Sequence, residues 1–395
     1  MTLLERLNSP GPKRILALDG GGIRGALTLG YLQAVEDILA KQHDDPGFTL
    51  SDYFDLIGGT STGSIIASAL AIGMKVKDIK EMYFNLGPKI FNRGYARWNI
   101  APGGLKKIFN LLLTKATYDA GPLETELANL FKDITLGSDK IKTGLCIVAK
   151  RADTNSVWPM INHPLGKYFD SADGKNSEIL LWKAVRASAA APTYFIPQVI
   201  DVGGGTPSAA FVDGGVSMAN NPALQLLMVA TLHGFPFKWK MGADNLFIVS
   251  IGTGTSKFQK LATDISAYQE FKWASSIPDM LMQDASWQNQ IILQWLSKSP
   301  TACIIDGEIG AMEGDLLGPD SNGKGLISYL RYNTWLTKNH LDELMQQSYS
   351  EQKVADLIEM DHGGNCQELY EIGKKAGETE ILAEHFPASF SVTGL

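Results

Sequence analysis

Two glycine-rich turns constrain this chain most, because each is reached from a short apolar run and left through a segment of helical period. The first lies in "RILALDGGGIRGALTLGYLQAVEDIL" and the second in "YFDLIGGTSTGSIIASALA". Ile15, Leu16, Ala17 and Leu18 are apolar without alternation, which is the pattern of a strand covered on both faces. Leu27, Leu32, Val35 and Leu39 then recur at helical spacing, so the next segment is predicted to be a helix lying on that sheet. "YFDLIGG" repeats the arrangement, with a helix expected from about Thr62 to Gly73. Further strands are predicted at Gly144–Ala152, Ala209–Gly215 and Asn245–Gly254, with helices at Leu123–Phe131, Leu180–Ala189 and Pro222–His233. This alternation predicts an α/β fold, a sheet covered by helices. No repeat, low-complexity tract or charge run marks a linker, so 395 residues are read as one domain with loop insertions.

Charge and cysteine usage narrow the function classes. A net charge of -7 and an isoelectric point near 5.5 give no electrostatic reason to expect a nucleic-acid polymer as partner, and little attraction to an anionic membrane. Lipid contact, if made, has to be local and apolar. "MTLLERLNSPGPKR" has no signal-peptide core before Pro10, being interrupted by Glu5 and Arg6, and is read as the start of a cytoplasmic protein. The longest apolar candidate, Ser64–Met74, is about half of the roughly 20 residues a spanning helix needs. Cys146, Cys303 and Cys366 are scattered and odd in number, so neither a disulfide framework nor a metal site is expected, and no cofactor.

Gly59-Thr60-Ser61-Thr62-Gly63 fits G-x-S-x-G between a buried strand and a helix. A strained turn there would lift the Ser61 hydroxyl off the sheet at a helix N-terminus, where the dipole and free N–H groups favour developing negative charge. Gly20, Gly21 and Gly22 admit two readings, a phosphate cradle or an oxyanion hole. A dinucleotide fingerprint wants G-x-G-x-x-G with an acidic residue about 20 positions on, whereas Asp19 precedes these glycines and no P-loop lysine follows them. A serine nucleophile also needs a base. His43, His163, His233, His340, His362 and His385 all sit in surface or capping contexts, and only His362 in "EMDHGGN" weakly meets the order serine, acid, late histidine. Asp213 in "AAFVDGGVSMANNPA" is the alternative, expected to emerge where parallel strand ends collect active-site groups. Its plain reading is an Asp-Gly turn.

Taken together, D-G-G-G-x-R-G at Asp19–Gly25, G-T-S-T-G at Gly59–Gly63, "RASAAAPTYFIP" at Arg186–Pro197 and D-G-G at Asp213–Gly215 occur in the order seen in patatin-like lipid acyl hydrolases. The chain resembles that family, above all the plant storage-type patatins and their bacterial relatives, from about Arg14 to Gly254. Through "KWASSIPDMLMQDAS" and "YLRYNTWL" the resemblance continues more loosely to about Leu336. It implies a three-layer sandwich with a mostly parallel central sheet, related to the α/β-hydrolase and cytosolic phospholipase A2 catalytic folds. Ser61 matches the family's nucleophile, Asp213 its partner in a Ser-Asp dyad, and Gly20, Gly21 and Gly22 its oxyanion loop, which favours the oxyanion over the phosphate. Arg24 matches an arginine that supports this loop or a substrate phosphate, while Gly59, Gly63, Gly214 and Gly215 support the turns.

The implied activity is hydrolysis of phospholipid or other lipid esters through an acyl-enzyme, at a transient membrane surface. A free carboxylate is a weak base at neutral pH, so Asp213 is expected to be buried enough to raise its pKa. Two other functions come with the resemblance: a phospholipase effector of bacterial anti-phage defence switched on by a cyclic nucleotide, and a storage or lipid-binding protein with incidental esterase activity. The expected layout is a leader at 1–13, a catalytic domain at 14–338 and a helical extension at 339–395 packed on it. Within 255–300, Phe271–Leu296 carries Trp273, Met280, Met282, Trp287 and Trp295 and is read as an acyl channel, lid or interfacial patch, against a core-facing helix pair. "KIFNRGYARWN", Lys89–Asn99, is a basic and aromatic cluster that would face lipid headgroups, against a solvated loop.

Overall fold

The computed structural model describes residues 2–90, 120–192, 194–203, 205, 207–256, 261–305, 307–310, 312, 315 and 325–392. The cluster read at 89–99 lies, from residue 91 on, outside them. The strands are β1 (Lys13–Leu18), β2 (Leu56–Thr60), β3 (Gly144–Arg151), β4 (Ser156–Ile161), β5 (Gln198–Ile200), β6 (Ala209–Asp213), β7 (Leu246–Ile251), β8 (Ser297–Lys298) and β9 (Ile327–Tyr332). The helices are α1 (Leu3–Leu7), α2 (Gly25–Gln42), α3 (Leu50–Tyr53), α4 (Thr62–Ala71), α5 (Val76–Ile90), α6 (Gly121–Phe131), α7 (Leu181–Ser188), α8 (Ala223–Thr231), α9 (Ala262–Ser266), α10 (Glu270–Trp295), α11 (Lys338–Met345), α12 (Glu351–Ile358) and α13 (Cys366–Glu380).

All these strands join one mixed sheet. Its centre is parallel: β1 lies between β2 and β7, with β3 beyond β2 and β9 beyond β7. Every residue of β1, β2 and β7 is buried, as continuous apolar runs require. Successive side chains of a strand point to opposite faces, and β1 divides accordingly. Leu16 and Leu18 join a core with residues of α2, α4, α5 and α13, whereas Ile15 and Ala17 join a second core with residues of α8 and with Leu293 of α10. The result is a helix–sheet–helix sandwich with β1 at its middle.

The C-terminal helix is part of the first of these layers. α13 crosses α2 so closely that a Cβ added at Gly373 would lie 2.0 Å from the Leu27 carbonyl oxygen, and one at Gly30 would lie 2.2 Å from the Lys374 nitrogen. Backbone meets backbone at both points, so neither neighbour can rotate away. Gly373→Val is expected to lower unfolding free energy by about 1–3 kcal/mol through overpacking. Gly234→Ala, where an added Cβ meets nothing within 4 Å, should leave it nearly unchanged. Urea denaturation of both variants checks the contrast.

Candidate active site

The turn after β2 is built from close backbone contact. A Cβ on Gly59 would lie 2.2 Å from the carbonyl of Gly63, and one on Gly63 would lie 2.2 Å from the Leu18 oxygen at the end of β1. Between these glycines Ser61 takes φ 54° and ψ -124°, a conformation costly for a residue with a side chain. Surrounding bonds hold it there. The Ser61 carbonyl accepts the backbone N–H of Ser64 at 2.9 Å and the Ser64 hydroxyl at 2.6 Å. Its N–H donates to Ser188 Oγ at 2.8 Å, and the Ser188 hydroxyl in turn donates to the Val148 carbonyl at 2.6 Å.

Asp213 reaches this turn by a route the sequence did not indicate. β4 runs along one edge of β3 from Cys146 to Arg151, so β2 and β6 must share the other. β2 occupies it up to Thr60, opposite Val148, and β6 enters from the far end, antiparallel, to place Asp213 opposite Ala149. The strand carrying Asp213 therefore meets β2 head to head, instead of ending beside it in a parallel sheet. The consequence is a hydrogen bond of 2.6 Å donated by Ser61 Oγ to Asp213 Oδ2, across 152 positions of sequence. The other carboxylate oxygen accepts the Gly215 N–H at 2.7 Å, and the Asp213 N–H donates to the Ala190 carbonyl at 3.0 Å.

Asp213 is only 4% exposed. Burial pushes its carboxyl up to about 6, against the Ser61 hydrogen bond, the Gly215 N–H and the charge of Arg186, which favour the ionised form. Arg186 is itself wholly buried, with Nε 3.3 Å from Glu124 Oε1 and Nη2 donating to the Ile196 carbonyl at 3.2 Å.

The glycine loop lies against the same turn. Gly20 donates its N–H to the Asn220 carbonyl at 3.0 Å and accepts the Thr253 hydroxyl at 3.0 Å. A Cβ on Gly20 would meet Asn220 Oδ1 at 2.5 Å and Ser61 Cβ at 3.2 Å, so the loop touches the serine. Gly22 has φ 58°, and its carbonyl accepts the Tyr83 hydroxyl. The N–H groups of Gly21 and Gly22 have no acceptor among the described residues. Asp19, just before the loop, is clamped by Arg331 of β9 through a buried two-pronged pair, Nη1–Oδ1 at 2.9 Å and Nη2–Oδ2 at 2.6 Å. Arg24, after it, is half-buried with Nε unpartnered among the described residues, and burial lowers its pKa to about 10, partly offset by Asp19. Gly214 packs on the Val148 carbonyl, where a Cβ would come within 2.3 Å.

The stretch read at Phe271–Leu296 is one helix, α10, capped by Leu296, and not a helix pair. It is tied to the turn after Asp213 by Asn289 Nδ2, which donates to the carbonyls of Met218 at 2.6 Å and Asn221 at 3.1 Å. One side of it, with Val216 and Met218, walls an apolar groove of about 800 Å³ that also includes Ile277, Leu281 and Met282. Another side walls a polar cleft shared with Arg24, Asn220 and Asn333.

A family model described as Patatin-like phospholipase matches residues 16–227, more than half of the chain. The chain belongs to the patatin-like phospholipase family. The match runs from β1 through most of α8, and so takes in both glycine turns, Ser61 and Asp213 but neither β7 nor α10. The "cGAMP-activated phospholipase" of Escherichia coli (strain TW11681) is 28% identical over 241 residues, which is 61% of this chain and 62% of that protein. "Patatin-03" of Solanum tuberosum is 29% identical over 277 residues, 66% of this chain and 65% of its own. The chain thus spans just under two thirds of the length of either relative.

None of the bonds described above around Ser61 and Asp213 involves a histidine. His43, His340, His362 and His385 pair with Leu39, Thr334, Asp356 and Tyr332, and His163 is buried against Phe237 with its pKa lowered to about 4 by burial. Sequence reasoning passed over Ser188 and Asn220, although both lie inside the motif stretches, and over Arg331.

Burying the Asp213 carboxylate has a cost for folding that can be measured. Its pKa is about 6 when folded against an ordinary 3.8, so the folded state holds that proton more tightly and stability falls as pH rises across this window. Asp213→Asn keeps the shape without the charge. Thermal unfolding should show the variant more stable than wild type by about 1–3 kcal/mol at pH 8. The gain should shrink as pH falls from about 6 to about 4; a gain independent of pH would sink this account.

Proposed function

We propose that this patatin-like phospholipase hydrolyses carboxylic esters of membrane lipids, with Ser61 as nucleophile and Asp213 as its base. The observation that carries the reading is the 2.6 Å bond from a strained serine at a helix N-terminus to a buried carboxylate whose pKa lies near 6. Asp213 takes the Ser61 proton as Oγ attacks the ester carbonyl. The oxyanion is held by the free N–H groups of Gly21 and Gly22, Gly20 having given its own to Asn220. As the acyl–oxygen bond to the alcohol breaks, Asp213 returns the proton to the leaving oxygen. Water then attacks the acyl-serine with Asp213 again as base, releasing the fatty acid and restoring Ser61.

The apolar groove beside Asp213 supports a lipid as the substrate, because Val216, Met218, Ile277, Leu281 and Met282 offer an acyl chain apolar contact along its wall. Among the described residues no helix is long and apolar enough to cross a membrane. Contact with a bilayer is therefore assigned to exposed side chains around the groove, including Met218 at 63% and Leu281 at 62% exposure, in a cytoplasmic protein that binds membranes peripherally. The name of the E. coli relative supports a second reading, in which a cyclic nucleotide activates the enzyme.

Fatty acid and lysolipid released from mixed phospholipid vesicles, measured by mass spectrometry with and without cGAMP, test these readings. Wild type should be active, and Ser61→Ala and Asp213→Asn should each lose at least a thousandfold in kcat. The wild-type rate should rise with pH to a plateau through an apparent pKa of about 6, since only ionised Asp213 can take the proton. Equal release by all three folded proteins overturns the dyad. Background release by wild type, with or without the nucleotide, favours a storage or lipid-binding role.

A further inference from the structure

The peptide that joins Gly22 to Ile23 is held from both ends. Its carbonyl accepts the hydroxyl of Tyr83 on α5, and its N–H donates to the Met360 carbonyl at 2.9 Å. The single Tyr83 proton being used in this way, Thr62 Oγ1 donates to the tyrosine oxygen at 2.6 Å. The preceding peptide carries the Gly22 N–H, and the two planes are related through the dihedral angles of Gly22 alone, whose φ is 58°. Fixing the second peptide therefore aims the N–H of the first. The fit on the Met360 side is backbone to backbone, since a Cβ on Gly22 would come within 2.3 Å of the Met360 oxygen.

Met360 belongs to the turn between α12 and α13, well beyond the residues matched by the family model. Two side-chain links close this turn. His362 Nδ1 lies 2.6 Å from Oδ1 of Asp356 in the last turn of α12, and because a carboxylate only accepts, the imidazole donates. Asn365, buried, gives Nδ2 to the Asp356 carbonyl at 2.8 Å and its backbone N–H to the His362 carbonyl at 3.0 Å. Lys353 Nζ in turn donates to Asn365 Oδ1 at 3.3 Å. Met360 is thus enclosed by bonds that run from 356 to 365. Ser61 Oγ donates to Asp213, so the Asp356–His362 pair is not needed as the base, and its route to the reaction is through Met360.

Resting on the reading of Gly21 and Gly22 as the oxyanion donors, we infer that Asp356, His362 and Asn365 are positioning residues for the hydrolysis. They fasten the turn that carries Met360, and the Met360 carbonyl holds the Gly22 N–H toward the developing oxyanion. A late histidine thereby serves the serine without touching it.

The test uses p-nitrophenyl butyrate, with kcat and KM taken per active site. Sites are counted by carrying a fluorophosphonate to complete reaction with Ser61, which removes any loss caused by unfolded chains. The His362 side chain is 38% exposed, so its replacement should leave the chain folded. His362→Leu should lower kcat by about tenfold or more and move KM by less than about twofold, because oxyanion donors act in the transition state. Complete loss of one such donor costs on the order of a hundredfold, which bounds the effect of misplacing it. Asp356→Ala should give the same loss from the other partner. His362→Asn, whose amide nitrogen falls where Nδ1 stands, should regain most of it. The double variant Asp356→Ala, His362→Leu should be no slower than either single one, since each already breaks the bond. Unchanged kcat in His362→Leu, a change confined to KM, an asparagine variant as slow as the leucine one, or losses that add in the double variant overturns the inference. In each of these cases turnover by wild type and its absence in Ser61→Ala leave the hydrolytic pair standing. Folded wild type that neither turns over the ester nor reacts with the fluorophosphonate overturns the pair and the inference with it.

Discussion

Three stretches of backbone around Ser61 approach one another more closely than any side chain would allow. The end of β1, the end of β2 and the first turn of α4 meet at Gly59, Gly63 and the Leu18 carbonyl, with 2.2 Å left where a Cβ would have to go. Everything at the site hangs on this contact. It forces Ser61 into its positive-φ conformation, places it at the N-terminus of α4, and sets the glycine loop after β1 against the serine. The strain is met by local bonds from Ser64 and Ser188 and by the buried strands beneath, so the cost of holding the hydroxyl ready is spread over a core that would exist anyway.

The second constraint is electrostatic. A carboxylate that is 4% exposed is poorly solvated, and the environment of Asp213 corrects this only in part, through one hydroxyl, one backbone N–H and the more distant Arg186. Full compensation, by a direct salt bridge, would drop the pKa and leave a base too weak to take a serine proton. A wholly apolar setting would keep the acid protonated. The arrangement lies between these, where a carboxylate can act near neutral pH without an imidazole as intermediary. Asp19 shows the contrasting treatment: paired through both oxygens with Arg331, it is fixed as a strut between the glycine loop and β9.

How much of this could be read from residues depended on the range of the interaction concerned. The βα units around β1 and β2 were legible because their apolar runs, glycines and helical periods are consecutive, and the predicted helix at Thr62–Gly73 differs from α4 by two residues. Ser61, Asp213 and the glycines stood out for the same reason. The direction of β6 was not legible, since five residues with the burial pattern of alternate coverage fit either orientation and the choice is made by pairing with β3 and β5. Gly214 and Gly215, read as the end of that strand, instead form a 3-10 turn that Asp213 caps through the Gly215 N–H. Ser188 and Arg331 act across 127 and 312 positions, and no local pattern announces a bond of that span. The spacing of Trp, Met and Gln along α10 indicated a helix, but which side would face the site depends on Asn289 anchoring it to the turn at Met218.

The head-to-head meeting of β2 and β6 makes β3 a ruler. Thr60 stands opposite Val148 and Asp213 opposite Ala149, so the gap between Ser61 and Asp213 is set by one step of a strand that carries neither. A strand advances about 3.3 Å per residue, and a slip of one residue also turns side chains to the opposite face. Insertions in the connections between these strands can lengthen the chain without altering the pair, whereas one extra residue within β3 at this junction would part them while leaving both motifs intact in the sequence. For chains of this family the spacing to inspect is therefore the register along the third strand, which measures the site more directly than the number of residues between its serine and its aspartate.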